Sequence, residues 1–281
     1  MVIDLGFSPM LLALIGLLLG AIIGSFLNVV VIRLPLMLEA QWTRDSREFL
    51  ALNPENQPTL SLSKPASHCP HCQNPIKPIH NIPILSYLFL RGRCHHCGAS
   101  ISVQYPIVEL LSAVLTALYV MEYGISTTAL ASMLFTYALM VLTLIDQRHQ
   151  LLPDQITLPL LWLGLLVNLS GLFASPADGI IGAALGYLSL WSVFWLFKLI
   201  TGREGMGYGD FKLSAALGAW LGWQMLPMVI LLASLLGLVV GCYGIIFAGR
   251  DREAPLAFGP YLCIAGWIAM LWGDSISLYL F

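Results

Sequence analysis

The sequence predicts an all-α polytopic membrane protein, with about eight transmembrane helices and a small zinc-ribbon-like domain between the first and second helices. Three observations support this fold class. Of the 281 residues, 58% are hydrophobic and only 10% are charged, with a mean hydropathy of +0.82, whereas soluble domains carry about 25% charged residues. Apolar runs of membrane-spanning length recur along the chain. Four cysteines form two close pairs within the one long polar segment.

The apolar runs define the predicted helices, because about 20 apolar residues are needed to cross a bilayer. The sixth run is short and contains glycines, and the eighth contains a proline. We expect a first transmembrane helix over 1–32, a cytoplasmic zinc-binding domain over 33–105 and a seven-helix membrane domain over 106–281. The predicted spans cover 9–32, 106–121, 126–145, 156–173, 179–199, 211–225, 226–248 and 256–272.

The distribution of Lys and Arg predicts the orientation of these spans. If the N-terminus lies outside, all 13 basic residues fall in segments on the cytoplasmic side. Cytoplasmic loops of membrane proteins carry an excess of Lys and Arg, so we expect the cysteine-rich domain to face the cytoplasm. The formal net charge is -2 and the pI is about 6.3. Because this leaves no global basic field, we expect no nucleic-acid partner.

Four cysteines of the polar segment predict a metal centre. Cys69-Pro-His-Cys72 and Cys94-His-His-Cys97 are separated by 21 residues, close to the spacing of four-thiolate zinc ribbons. Each pair lies on a predicted turn, so the four thiolates can converge on one structural zinc ion. Disulfides, a redox pair and unrelated thiols are the alternatives. A cytosolic location disfavours disulfides, and the absence of a βαβ pattern disfavours a thioredoxin-like redox pair.

Two acidic residues near predicted helices have structural explanations. Glu109 lies in the first turn of a helix that Pro106 opens, where the helix dipole favours a carboxylate. Asp154 follows Pro153 and precedes an apolar run, which is typical of a helix N-cap. We expect both side chains to stabilise helix ends.

Two further aspartates, Asp146 and Asp210, are the candidate catalytic residues. Asp146 ends an apolar run, where a carboxylate meets the unfavourable end of the helix dipole. A solvated helix end neutralised by Arg148 is the alternative interpretation. Asp210 can also cap the helix that follows it. The predicted topology places Asp146 at the inner end of span three and Asp210 at the inner start of span six, so the two carboxyl groups can face each other.

Such a pair of acids fits two kinds of chemistry. Two close carboxyl groups share one proton, and they can polarise a water and protonate a leaving amine, as in aspartyl proteases. Intramembrane acids also mark ion paths, so an ion-coupled transporter that uses Asp146 and Asp210 is an alternative. The position of both acids at one membrane face, away from the midplane, disfavours transport.

A glycine-rich stretch precedes the second candidate acid. Gly205, Gly207 and Gly209 alternate with other residues directly before Asp210. This pattern predicts an unwound, closely approached backbone, which a membrane protein tolerates only beside a cavity or inside packed protein. Such a loop can receive an extended peptide, so we interpret the three glycines as a substrate loop.

Several motifs together resemble one known family, the bacterial type IV prepilin leader peptidases, which also serve type II secretion pseudopilins. The resemblance covers essentially the whole chain. One departure is Ala257, which stands where many members have proline. The motifs are Gly24-Ser25-Phe26-Leu27-Asn28-Val29, Arg33-Leu34-Pro35, the two cysteine pairs, Asp146 with Pro153-Asp154, Gly207-Tyr208-Gly209-Asp210, and Phe258-Gly259-Pro260.

The resemblance implies a function and a location. It implies that Asp146 and Asp210 form the catalytic dyad of a membrane aspartyl endopeptidase, with Asp154 outside the dyad. Cleavage is expected on the cytoplasmic side of the bacterial inner membrane, after a glycine that ends a short basic leader. Family members with these cysteines then N-methylate the new first residue, usually Phe, with S-adenosylmethionine. No glycine-rich nucleotide-binding motif is present, so the methyl-donor site rests on the resemblance alone.

A third interpretation is a non-catalytic pilus assembly scaffold. In that case the zinc domain is the docking surface, and substitution of the cysteines abolishes partner binding whereas substitution of the aspartates has no effect.

Overall fold

The computed structural model is mainly helical, which confirms the predicted all-α fold class. The chain divides into two compact units, Met1–Tyr137 and Ala138–Phe281. Arg250 and Arg252, which belong to the basic residues predicted to face the cytoplasm, lie outside the described residues. The structure describes residues 2–3, 8–52, 60–247, 249, 251 and 256–280.

The first unit combines long helices with the cysteine-rich segment. Its two short strands pair antiparallel, with Val2 opposite Ser126. The division between the two units falls within helix α4. The elements of the first unit are β1 (Val2–Ile3), α1 (Pro9–Phe49), a 3-10 turn (Pro78–Asn81), α2 (Leu85–Phe89), α3 (Gln104–Tyr123), β2 (Ile125–Ser126) and the start of α4 (Thr127–His149).

The second unit is formed by helices alone among the residues that the structure describes. Its elements are the end of α4, α5 (Asp154–Val167), a 3-10 turn (Asn168–Ser170), α6 (Pro176–Thr201), α7 (Tyr208–Leu221), a second 3-10 turn (Trp223–Met225), α8 (Leu226–Phe247) and α9 (Gly259–Leu280).

Helix α1 extends well beyond the predicted boundary at Ile32. Ser8 caps its first turn, since the Ser8 hydroxyl accepts a hydrogen bond from the Leu11 amide at 3.3 Å. The helix then continues to Phe49 through Pro35. Apolar character ends near residue 32, but the following segment is rich in Leu, Met, Glu, Ala, Gln and Arg, which favour the helical conformation. The helix therefore extends beyond the end of the apolar run.

A helix occurs at each predicted span, but the number of membrane crossings is not confirmed as eight. Helices α5 and α7 contain 14 residues each, fewer than the roughly 20 that cross a bilayer. Within the described part of the chain, five helices are long and apolar enough to span a membrane. They are Pro9–Phe49, Gln104–Tyr123, Thr127–His149, Pro176–Thr201 and Trp223–Phe247.

Glycines bring α1 and α3 into close contact in the first unit. A Cβ atom at Gly16 would lie 2.7 Å from the Ala117 Cα, and one at Gly20 would lie 2.6 Å from the Ala113 Cα. Gly24 continues the same four-residue spacing. Small residues at this spacing let membrane helices approach backbone to backbone, so the helix pair depends on these glycines.

Helix α7 lies at the centre of the second unit, and most of its residues from Asp210 to Trp220 are buried. Gly218 contacts the Gly182 backbone of α6 so closely that neither position has room for a side chain. On the α5 side, the Trp220 indole N–H donates a hydrogen bond to the Leu160 carbonyl at 2.8 Å. These contacts anchor the C-terminal end of α7, and the first turn of the same helix carries Asp210.

Candidate active site and metal centre

The four cysteines form a tight cluster in the first unit. All four Sγ atoms lie within 4.8 Å of one another, and the Sγ atoms of Cys69 and Cys97 are 3.8 Å apart. A tetrahedral zinc ion with Zn–S bonds of about 2.3 Å requires sulfur separations of about 3.8 Å. All four thiols are free. The donor set and its spacing therefore fit one zinc ion.

The two cysteine pairs have the same local backbone. The Gln73 amide donates to the Cys69 carbonyl, and the Gly98 amide donates to the Cys94 carbonyl, both at 2.9 Å. The residue after each pair has a positive φ, 58° at Gln73 and 70° at Gly98. Backbone amides, the largest effect coming from Cys97, lower the pKa of the Cys94 thiol to about 6. A thiolate is the form that binds metal.

Asp146 lies near the end of α4 and is only 5% exposed. The Gly259 amide, at the start of α9, donates a hydrogen bond to its carboxylate. A Cβ atom at Gly259 would lie 2.6 Å from the Asp146 Oδ2. The carboxylate therefore occupies space that only a glycine leaves free, and it faces the positive end of α9. This contact places Asp146 against the start of α9.

Asp210 lies in the first turn of α7 and is 6% exposed. Its Oδ2 accepts a hydrogen bond from the Gly207 amide at 3.2 Å, so Asp210 caps its own helix, as the sequence allowed. Among the described side chains, its Oδ1 is buried and makes no hydrogen bond. A buried carboxyl oxygen without a hydrogen-bond partner costs free energy. Oδ1 is therefore available to bind a water or a substrate group.

The structure brings these two aspartates together, as the topology predicted. Asp146 and Asp210 lie within electrostatic range of each other. Leu152 connects the two sites: a Cβ at Gly209 would lie 2.8 Å from the Leu152 Cβ, and a Cβ at Gly259 would lie 3.1 Å from its Cδ atoms. Leu152 therefore packs between Gly209, the residue before Asp210, and Gly259, which contacts Asp146.

The glycine stretch is only partly unwound. Gly205 and Gly207 precede α7, and Gly207 is extended with φ -83° and ψ 152°. Gly209 is helical, so the prediction of an unwound backbone is wrong at that position. Its lack of a side chain serves the close approach to Leu152 instead. Gly205 lies against the Phe197 ring, where a Cβ would come within 2.9 Å.

Asp154 has a different role from the predicted one. Pro153, and not Asp154, occupies the N-cap position of α5, and Asp154 begins the helix. Both of its carboxylate oxygens lie 2.7 Å from the Lys212 Nζ. This partly exposed ion pair joins α5 to α7. Lys212 also lies in the first turns of α7, so the pair fixes the end of the helix that carries Asp210.

Glu109 also has a partner that the sequence did not reveal. Helix α3 begins at Gln104, so Glu109 lies beyond its first turn. Its Oε2 accepts a hydrogen bond from the Ile84 amide at 2.7 Å. Glu109 therefore ties the segment that contains Ile84 to α3, and the explanation from the helix dipole is wrong.

The fold and the site define a polytopic helical membrane protein with a buried pair of aspartates at helix ends and a separate four-thiolate cluster. Two family models match this chain. The bacterial peptidase A24 N-terminal domain matches residues 18–123, and the type IV leader peptidase family matches residues 133–242.

Curated relatives match along almost the whole chain, and each is named prepilin leader peptidase/N-methyltransferase. The Pseudomonas aeruginosa protein is 54% identical over 96% of this chain and 93% of its own length. The Aeromonas hydrophila protein is 55% identical over 92% of this chain and 90% of its own, and that of Dichelobacter nodosus is 46% identical over 96% and 94%. No solved structure matches. The chain belongs to the type IV leader peptidase family.

Proposed function

We propose that this chain is a membrane aspartyl endopeptidase that removes the leader peptide of type IV prepilins and type II secretion pseudopilins, and that it then N-methylates the new N-terminal residue. The names of its relatives support both activities. The observation that carries the peptidase assignment is the convergence of Asp146 and Asp210, two almost fully buried acids from separate helices.

The chemistry follows from the surroundings of the two acids. Two carboxyl groups in a poorly solvated site do not both ionise, so the pair holds one proton. The ionised member takes a proton from a water, whose oxygen attacks the scissile carbonyl carbon. The protonated member donates its proton to the departing amide nitrogen as the C–N bond breaks. The products are a carboxylic acid and an amine, and no covalent bond to the enzyme forms.

The two acids differ in their hydrogen-bond partners. The Gly259 amide and the N-terminus of α9 favour a negative charge on Asp146. Asp210 has the unpartnered Oδ1, which can hold the shared proton or bind the attacking water. Asp210 also accepts a backbone amide at a helix N-terminus, so the buried Oδ1 without a donor is what distinguishes it. Because a charged oxygen in that position lacks compensation, we assign the ionised role in the resting pair to Asp146.

The loop before Asp210 supports a role in substrate binding. Gly205 and Gly207 lack side chains and precede the helix in non-helical backbone. An extended peptide needs close access to the backbone N–H and C=O groups of its receptor. The loop that ends at Gly207 can thus bring a substrate backbone to the Asp210 carboxyl group in the first turn of α7.

The cofactors of the proposed enzyme are zinc and S-adenosylmethionine. Cys69, Cys72, Cys94 and Cys97 would hold the zinc ion, which stabilises a small domain by cross-linking its two turns. The methyl donor is inferred from the names of the relatives, and no residue is assigned to it. The proposed location is the bacterial inner membrane, with the N-terminus periplasmic and the cysteine cluster cytoplasmic, because all 13 basic residues then face inwards.

The test of this function is incubation of the purified protein with a prepilin, with and without S-adenosylmethionine, followed by mass spectrometry of the product. We expect cleavage after the leader glycine in both samples. We expect a mass gain of one methyl group only in the sample with the donor. No cleavage in either sample would refute the peptidase. Aspartate-dependent ion flux in reconstituted vesicles would favour the transporter, and loss of partner binding in cysteine variants alone would favour the scaffold.

A further inference from the structure

One segment of the cysteine-rich region exposes large apolar side chains. It runs over residues 76–90, outside the helices long enough to span a membrane, and we refer to it as the apolar segment. Phe89 is 83% exposed and Leu88 is 65% exposed. Exposed large apolar side chains grouped within one short segment indicate a binding or membrane-contact surface. The exposed large apolar residues of the segment are Ile76, Ile79, Ile82, Leu85, Leu88 and Phe89.

The apolar segment is tied to the membrane-spanning helices at a defined depth. Glu109 of α3 accepts the hydrogen bond from the Ile84 amide at 2.7 Å. Glu109 packs against α1 beside Gly24, where an added Cβ would lie 2.8 Å from the Glu109 Cα. Arg33, the first charged residue after the apolar part of α1, is nine residues further on. At 1.5 Å per residue, the Glu109 backbone beside Gly24 lies about 13 Å along the axis of α1 from Arg33, towards the bilayer interior, and its side chain reaches Ile84 from that level.

The hydrogen bond from the Ile84 amide to Glu109, which we call the tether, also fixes the direction of the apolar segment. Ile84 has φ 61° and ψ -53°, a positive-φ conformation that is rare for a β-branched residue and persists only where the surroundings enforce it. Helix α2 begins at the next residue. The Glu109 carboxylate thus holds the backbone at the point where the chain turns into α2, which carries Leu88 and Phe89.

The charge of this region complements an anionic membrane surface. Residues 60–108 contain four basic residues and no Asp or Glu. Lys77 is the second residue of the apolar segment, Arg91 directly follows it, and Arg93 is two residues further on. Cations beside an apolar surface at a membrane interface attract anionic headgroups while the apolar side chains enter the acyl region.

We propose that the apolar segment, residues 76–90, is embedded in the bilayer leaflet on the side of the cysteine cluster and that Lys77 and Arg91, at its two ends, bind anionic phospholipid headgroups. The cysteine-rich domain is then a peripheral membrane domain seated in the lipid beside α1 and α3. Exposed Leu111 lies on the same helix as Glu109, so the lipid-facing surface of α3 begins at the depth of the tether.

The experiment places a photo-reactive benzoylphenylalanine in the full-length protein at Phe89. Matched positions are Leu111, an exposed residue of a membrane-spanning helix, and Ala66, an exposed residue before the first cysteine pair. Each variant is reconstituted in phosphatidylcholine vesicles with or without phosphatidylglycerol, with and without a co-reconstituted prepilin. Adducts are identified by mass spectrometry, and thermal unfolding confirms that each variant is folded.

We expect lipid adducts at Phe89 and Leu111 and no lipid adduct at Ala66. In mixed vesicles, phosphatidylglycerol should be enriched among the Phe89 adducts, and K77Q with R91Q should reduce that enrichment by about fivefold for each cation. Lipid adducts at Leu111 but none at Phe89 would overturn the proposal. A Phe89 adduct with the prepilin in place of lipid would also overturn it and would assign the surface to a protein partner.

Discussion

Substitution of Gly259 by alanine tests the geometry of the aspartate pair without removing either acid. The added Cβ would lie 2.6 Å from the Asp146 Oδ2 and 3.1 Å from the Leu152 Cδ atoms. Real Cβ atoms do not approach other atoms more closely than about 3.0 Å, so the carboxylate must shift by several tenths of an ångström or more. Leu152 cannot yield freely, because it also packs against Gly209.

A misplacement of about 1 Å at a catalytic group costs about 100-fold in rate, which is about 2.7 kcal/mol of activation free energy. We therefore expect G259A to lower kcat for prepilin cleavage by about 100-fold with little change in KM, because the substrate loop is untouched. The assay is cleavage of a labelled prepilin by the purified protein in vesicles.

Gly241 provides the matched control in the same unit. A Cβ there would lie 3.7 Å from its nearest neighbour, Leu256 Cδ2, which is ordinary van der Waals contact. G241A should cleave at the normal rate. Normal cleavage by G259A, in a protein that unfolds at the usual temperature, would refute the inference that the Gly259 contact positions a catalytic Asp146.

Three further predictions concern the groups around the site. C72S should lower the zinc content, measured by elemental mass spectrometry, from one ion per chain to well below one; unchanged zinc would contradict the ligand assignment. E109L leaves the part-buried Ile84 amide without its acceptor and should lower the free energy of unfolding by about 1–3 kcal/mol, whereas E109Q retains an acceptor and should lower it less; equal unfolding temperatures for E109L and the unsubstituted protein would show that this hydrogen bond does not stabilise the fold. D154N weakens a partly exposed ion pair with Lys212, so its stability should change by less than about 1 kcal/mol and cleavage should continue; complete loss of cleavage would place Asp154 in the reaction.

The sequence predicted the helical architecture because the signal for a membrane helix is its apolar length. The same signal failed at α1, where the helix continues to Phe49 after the apolar run ends. It also failed for α5 and α7, whose 14 residues are too short to confirm a crossing. Helix α7 is apolar because it is buried among other helices. A single run of residues does not show whether its apolar side chains face lipid or other helices.

The candidate site could be predicted in part. Acidic residues beside apolar spans cost free energy, and this identified Asp146 and Asp210 as candidates. The paired cysteine motifs identified the candidate metal centre. The contacts that position them are not local: Gly259 is 113 residues from Asp146 in sequence, and Lys212 is 58 residues from Asp154. Phe258-Gly259-Pro260 was visible as a motif, but only the folded chain shows that its glycine makes room for a carboxylate.

The most direct test of the central claim compares prepilin cleavage by D146N, D210N and D154N in the same membrane preparation, with product termini read by mass spectrometry. If Asp146 and Asp210 share one proton over the scissile bond, each of those two substitutions abolishes cleavage while zinc content and unfolding temperature stay unchanged, and D154N still cleaves. Normal cleavage by either D146N or D210N would contradict the account.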